Sequence, residues 1–196
     1  MEREVLLTGI GGQGIQLAAR TLAVAAMDEG REVRVFGSYG GMMRGGNTDA
    51  TLLVSDARIS SPPTVSRGWS ALAMHHEHWP PVRDRLRRGG FALVDSSVFR
   101  DPVHLEGCTV LEVPATRLAG EMGTPAAASM VAIGAFAAAT GLVGLAALEE
   151  ATGKVLPSYR SAHRAANAAA VAAGHALVAD RLVAAFEGTP VGTGAP

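Results

Sequence analysis

The sequence predicts an α/β fold: a mostly parallel sheet flanked by helices, with a helical C-terminal part. Three observations carry this. Short apolar runs alternate with amphipathic stretches as far as Val113. A cluster of glycines separates the first apolar run from the first amphipathic stretch. The 196-residue chain is 48% hydrophobic but only 5% aromatic and holds 24 glycines, the composition of helices packed closely on a sheet.

The elements follow in order. Val5–Thr8 is the first strand, and Gln13–Glu29 a helix whose apolar stripe is Leu17, Ala18, Thr21, Leu22 and Ala25. Glu32–Phe36 is the second strand; Ala50–Ser55 and Ala71–Met74 are further strands, parted by a turn at Pro62-Pro63. Pro80–Arg88 reads as a short surface helix stopped by Gly89-Gly90, and Phe91–Asp95 and Val110–Val113 complete the strands. Beyond Pro114 the pattern is helical, with Ser158 as N-cap of a long helix reaching about Glu187. Residues 1–187 therefore form a single α/β domain, and 188–196, with nothing to bury, form a disordered tail.

Composition excludes several classes. A formal charge of −1 provides no general field for nucleic acid or anionic membranes. The lone cysteine, Cys108, permits no intrachain disulfide, no Cys-ligated iron–sulfur cluster and no four-cysteine zinc site. It reads as a small buried residue rather than a nucleophile. Met1–Glu4 runs straight into the first strand without a secretory signal, which points to the cytoplasm. The uncharged stretch from Ala126 to Leu148 is Ala-rich and interrupted by Gly134, Gly141 and Gly144, so it reads as two tightly packed helices rather than a bilayer span.

Gly9, Gly11 and Gly14 satisfy a G-x-G-x-x-G spacing at a strand–turn–helix junction, which makes the domain Rossmann-like. Residues without side chains let the chain turn sharply and let a phosphate approach the backbone, while the following helix offers unpaired N–H groups. Gly12 and Gln13 belong to the same loop. NAD-binding versions place a carboxylate near the end of the second strand. Here Val33–Ser38 has none, although Arg34 could meet a 2′-phosphate; the alternative is that the glycines only permit close packing.

A second dense loop, Ser38 to Asn47, follows the second strand and should emerge at the same carboxyl edge. Arg44 can contact a phosphate or carboxylate in bidentate fashion, Gly45 and Gly46 permit close approach, and Ser38, Tyr39 and Asn47 supply hydrogen bonds.

Together, Gly9-Ile10-Gly11-Gly12-Gln13-Gly14 and Ser38-Tyr39-Gly40 leading into Arg44-Gly45-Gly46 resemble the gamma subunit of 2-oxoacid:ferredoxin oxidoreductases. Val94-Asp95-Ser96, Val113-Pro114-Ala115-Thr116 and Met130–Ala135 follow in the family's order, and the likeness spans about Glu4 to Ala185. The Ser-Tyr-Gly and Pro-Ala-Thr segments look most like the 2-oxoglutarate-type subunits. Two departures stand out: Gly41 and Met42 occupy the family's Pro and Glu positions, and Ser129 that of an Asn.

The resemblance implies a complex that oxidatively decarboxylates a 2-oxoacid to an acyl-CoA. That complex uses thiamine diphosphate, Mg²⁺, iron–sulfur clusters and coenzyme A, and passes electrons to ferredoxin or a similar acceptor. It implies partner subunits that carry the thiamine diphosphate and the clusters. This chain would be non-catalytic by itself, binding no metal, with Gly9, Gly11, Gly12, Gln13, Gly14, Ser38, Tyr39, Arg44, Gly45 and Gly46 bordering a coenzyme A or thiamine pocket. The alternative readings are a stand-alone NAD(P)-binding dehydrogenase and a nucleotide-binding module.

His75, His76 and His78, beside Glu77 and Trp79, would need a defined geometry and a fourth ligand to hold a metal, and read equally as a polar loop or subunit contact. Arg83, Arg85, Arg87 and Arg88 read as a solvated helix face with Arg88 pairing Asp84, since no aromatic residues interleave as in a nucleic-acid platform. Asp95 at a strand end reads as a turn cap. The Ala165–Ala173 stretch suits close helix packing, inside the chain or at a subunit interface.

Overall fold

The computed structural model describes residues 1–39, 46–61 and 65–187; the Pro62-Pro63 turn and the 188–196 tail lie outside them. Six strands form one sheet in the order β2-β3-β1-β4-β5-β6, with β1 Glu2–Ile10, β2 Glu32–Tyr39, β3 Asn47–Ser55, β4 Gly68–Ala73, β5 Leu86–Asp95 and β6 Thr109–Val113. β1, β4, β5 and β6 are mutually parallel, whereas β3 runs antiparallel to both neighbours, β1 and β2. The antiparallel strand follows from chain length. Residues 40–46 are too few for a parallel crossover, so the chain doubles back as a hairpin and inserts β3 between β2 and β1.

Side chains alternate between two unequal cores, as pleating requires. Val5, Leu7, Leu52, Leu72, Phe91 and Leu93 face the larger core, shared with α1 (Ile15–Asp28), α3 (Ala115–Glu121), α4 (Ala128–Thr140), α5 (Leu145–Val155) and α6 (Arg164–Ala176). Leu6, Ala71, Ala73, Ala92 and Val94 face a smaller core closed by α2 (Trp79–Arg83) and the loop carrying Phe99, Val103 and Leu105. Among the described residues the sheet is thus covered by five α-helices on one face and by one short α-helix and loops on the other.

Every residue of α4 is buried, which accounts for its all-round apolar sequence. α4 and α5 divide the uncharged Ala126–Leu148 stretch between them. Among the described residues no helix is long and apolar enough to cross a membrane. α6 crosses α4 at backbone contact through Gly134 and Gly174, so the Ala-rich C-terminal stretch packs inside the chain.

Two expected helices are shorter. Pro80–Arg88 is not one helix: α2 stops at Arg83, the Arg85 carbonyl accepts from Gly68 N–H at 2.8 Å, and β5 begins at Leu86. Strand pairing outweighs local helix propensity there, and Gly89-Gly90 lie within the strand. Arg88 pairs with Glu106, while Asp84 pairs with its neighbour Arg83. The final helix runs from Arg164 to Ala176, after a 3₁₀ segment at Ser158–His163, and does not reach Glu187. Beyond it the chain leaves the helical path to lie on the end of α4: Leu182 and Val183 N–H donate to Ala139 O, and Ala185 N–H to Thr140 O.

Candidate functional site

Because α1 follows β1 on the large-core face and α2 follows β4 on the other, the crevice between the carboxyl ends of β1 and β4 is a topological switch point, where α/β sheets bind ligands. The glycine loop borders this crevice. Gly12 and Gly14 take φ of 102° and 78°, the left-handed region that disfavours any other residue. At Gly14 a Cβ would also lie 2.7 Å from Ser129 Oγ, whereas at Gly12 it would meet nothing within 4 Å. The loop is therefore closed against α4 on one side and open on the other.

No side chain caps α1 behind this loop, and its first turn holds no acidic residue. Its leading N–H groups and the positive end of its dipole lie at the loop, a setting suited to an oxyanion.

Gln13 has a structural role that its place in the motif does not reveal. Its Oε1 accepts the Ile10 N–H at 2.9 Å, and its Nε2 donates to Met74 O at 2.9 Å. The amide staples the end of β1 to the end of β4 and closes the floor of the crevice. Gln13→Ala strands one part-buried donor and one part-buried acceptor. It is expected to lower stability by about 2 kcal/mol, read from urea unfolding, and a midpoint equal to wild type would remove the staple.

The second loop joins the first, as its place after β2 predicts. Gly11 N–H donates to Gly46 O at 2.9 Å, so the start of β3 is held against the glycine loop. Arg44 and Gly45 lie outside the described residues, and Ser38 and Tyr39 end β2 at the same carboxyl edge.

Sequence reasoning missed the polar support beneath this rim. Asp49 accepts from Thr8 Oγ1 at 2.7 Å and from Asn47 Nδ2 at 2.8 Å, and its backbone carbonyl accepts from Gln16 Nε2 at 2.6 Å. Asn47 Oδ1 is buried without a partner. The cross-strand register Thr8↔Asp49 creates this cluster, and no local motif encodes that register. Ser129 donates its hydroxyl to Gly14 O at 3.4 Å, so α4 buttresses the loop.

The remaining features resolve into structural roles. Arg34 donates to the Ile59 and Ser61 carbonyls, both at 3.1 Å, and not to the site, which removes the residue that kept a 2′-phosphate reading open. Asp95, fully buried, accepts from Ser97 N–H at 3.0 Å and Thr116 N–H at 3.1 Å, capping both the turn after β5 and the start of α3. Cys108 is half-buried, its Sγ 3.2 Å from Arg87 O.

The histidines directly follow the carboxyl end of β4. His75 Nδ1 accepts the Glu77 N–H at 3.4 Å, and its ring stacks on His76 at 4.7 Å. Burial, then the neighbouring His76 and His78, pushes the His75 pKa below its ordinary value against the opposing pull of Glu77. The neutral ring matches its use as an acceptor. Among the described residues, no three His, Cys, Asp or Glu side chains are grouped to hold a metal ion.

Comparison with known proteins is consistent with this arrangement. A family model described as pyruvate ferredoxin/flavodoxin oxidoreductase matches residues 4–177. The chain is 35% identical over 164 residues to the 2-oxoglutarate synthase subunit KorC of Methanothermobacter marburgensis, covering 80% of this chain and 88% of that subunit. It is 33% identical over 144 residues to the ketoisovalerate oxidoreductase subunit VorA of the same organism, covering 74% of this chain and 30% of VorA. Among solved structures, the keto/oxoacid ferredoxin oxidoreductase gamma subunit of Geobacter sulfurreducens superposes with a TM-score of 0.74 at 28% identity, over 88% of this chain and 95% of that one.

Proposed function

The chain belongs to the pyruvate ferredoxin/flavodoxin oxidoreductase family as a gamma-type subunit of a 2-oxoacid:ferredoxin oxidoreductase, and we propose that its two glycine loops form one wall of the coenzyme A pocket in the assembled complex. The observation that carries this reading is the uncapped, acid-free start of α1 behind an open Gly12, tied through Gly11 and Gly46 to the Arg44 loop. Such a rim suits the phosphates of a nucleotide-like thiol carrier.

Gly12 gives backbone access, Gly11 ties the second loop through Gly46, Gly9 and Gly14 permit close packing of the turn, and Gln13 holds the floor. Ser38, Tyr39 and Gly46 stand at the opposite lip, and the role assigned to Arg44-Gly45 is to neutralise a phosphate or the substrate carboxylate. This chain binds and orients one reactant. It offers no thiolate set for a cluster, and its described residues do not fit a metal centre. Thiamine diphosphate with Mg²⁺, held by a partner subunit, supplies the decarboxylating chemistry when bound. Iron–sulfur subunits carry electrons to ferredoxin or a similar acceptor, and the assembly works in the cytoplasm, where its substrates are.

Among 2-oxoacids the reading singles out 2-oxoglutarate, supported by the Ser38-Tyr39-Gly40 and Pro114-Ala115-Thr116 segments. In the reconstituted complex, Arg44→Ala is expected to raise the KM for coenzyme A or the 2-oxoacid about tenfold or more, as loss of a charge-assisted pair implies. Unchanged steady-state kinetics would remove Arg44 from the site.

A further inference from the structure

The amino edge of the sheet, opposite the glycine loops, carries charge that the gamma-subunit reading leaves unused. A cavity of about 460 Å³ opens there, lined by Arg3, Trp69, Arg87, Arg88, Gly89 and Val183 among others. The basic run of the sequence produces it. Because β5 starts at Leu86 rather than continuing a helix, Arg87 and Arg88 sit at the start of the strand, and Arg87 reaches the start of β1 to pair with Glu4 at 2.7 Å.

Most charges around the cavity have partners. Arg87 has Glu4, whose carboxylate also accepts the Trp69 N–H at 3.2 Å. Arg88 has Glu106 at 3.3 Å, and Glu2 accepts from the Ser60 N–H at 2.9 Å and from the Ser61 hydroxyl.

Arg3 differs. Its Nε donates to Ala185 O, and its Cζ lies 4.7 Å from the centre of the buried Trp69 ring, so the side chain is fixed. No carboxylate among the described residues pairs with its guanidinium. Burial, followed by the positive charge of Arg87, lowers its pKa against the pull of Glu4 and Asp56. A half-buried cation with no carboxylate of its own, beside a second cation, is unfavourable, and an oxyanion reaching both guanidinium groups relieves the cost at Arg3 and adds to the Glu4 pairing at Arg87.

We propose that this cavity is a second anion site, in which the guanidinium groups of Arg3 and Arg87 hold an oxyanion of the phosphate or carboxylate type. Two guanidinium forks suit planar or tetrahedral oxyanions. The site lies a full strand from the glycine loops, roughly 26 Å at ~3.3 Å per residue, so it is independent of where coenzyme A binds. The oxyanion is either a free metabolite or an acidic side chain of a neighbouring subunit; the chemistry is the same.

The test is calorimetric titration of the full chain with inorganic phosphate at constant ionic strength. Wild type is expected to bind saturably, with affinity reduced about tenfold or more by Arg3→Gln and by Arg87→Gln and unchanged by Arg20→Gln, an exposed arginine on α1. Arg87 pairs with Glu4 and makes no contact with Ala185, so its variant remains informative if loss of the Ala185 contact disturbs folding. Absence of saturable binding to wild type, or binding that survives both substitutions, overturns the proposal. Repeating the titration on the assembled complex identifies the source. Retained binding marks a free anion, and lost binding marks a partner's acid already in place.

Discussion

Gly174→Ala is expected to lower the stability of the folded chain by about 3 kcal/mol or more, a fall in Tm of roughly 6–12 °C for a domain of this size. A Cβ at Gly174 would lie 1.9 Å from Val131 O, and one at Gly134 would lie 2.1 Å from Val171 O. These are approaches to backbone, not to flexible side-chain ends, so relief requires the two helices to separate. Separation is costly because α4 is buried along its whole length and sits beneath α6 in the larger core. Each helix presents its glycine to the other's carbonyl, so Gly134→Ala should have a similar effect. The double variant should destabilise by less than the sum, since one separation serves both. Thermal or urea unfolding of the three variants measures this. A Tm within 2 °C of wild type for either single variant, a limit below the shift expected for about 1 kcal/mol, would show that the crossing is looser than the backbone distances imply.

The same crossing shows how much of the fold the sequence made legible. The period of Leu17, Ala18, Thr21, Leu22 and Ala25 suffices to place α1, because its buried stripe repeats the helical turn. The strands were also readable as short apolar runs. The antiparallel insertion of β3 was not assigned, because apolar runs carry no direction; the shortness of the 40–46 link held that information. The expected helix to Glu187 fails for a related reason. Its residues suit a helix locally, yet the Ala139 and Thr140 carbonyls at the end of α4 accept from residues 182, 183 and 185 and draw the chain aside.

The site divides in the same way. The glycine loop and its carboxyl-edge position are local in sequence, so motif and context suffice to identify them. The supports are long-range. Gln13 spans to Met74, Thr8 to Asp49 and Ser129 to Gly14, and each depends on strand order or helix placement that no short window records. The open 2′-phosphate alternative at Arg34 closes, and the helix face expected of the basic run gives way, for the complementary reason: backbone carbonyls and strand pairing claim those positions, which residue type alone does not record.

Gly12→Asp is the substitution that separates binding from folding at the glycine loop. Gly12 has φ of 102° and open space where a Cβ would stand, so a side chain meets backbone strain but no clash. That strain costs about 1–2 kcal/mol. A carboxylate near the free start of α1 recovers part of it through the helix dipole, typically about 0.5 kcal/mol. The folded chain should therefore survive and still enter the complex. The ligand fares differently, because a phosphate approaching the same N–H groups meets a fixed negative charge. Two like charges about 4 Å apart at an effective dielectric of ~20 repel by about 4 kcal/mol, so the KM for coenzyme A should rise at least about a hundredfold. Gly14→Asp, by contrast, drives a Cβ to 2.7 Å from Ser129 Oγ and should fail in folding first. Steady-state kinetics of the assembled complex, paired with Tm values for the free chain, distinguish the two. If Gly12→Asp folds, assembles and keeps the wild-type KM for coenzyme A, the phosphates do not bind at the start of α1, and the glycine loop is a packing device between sheet and helix.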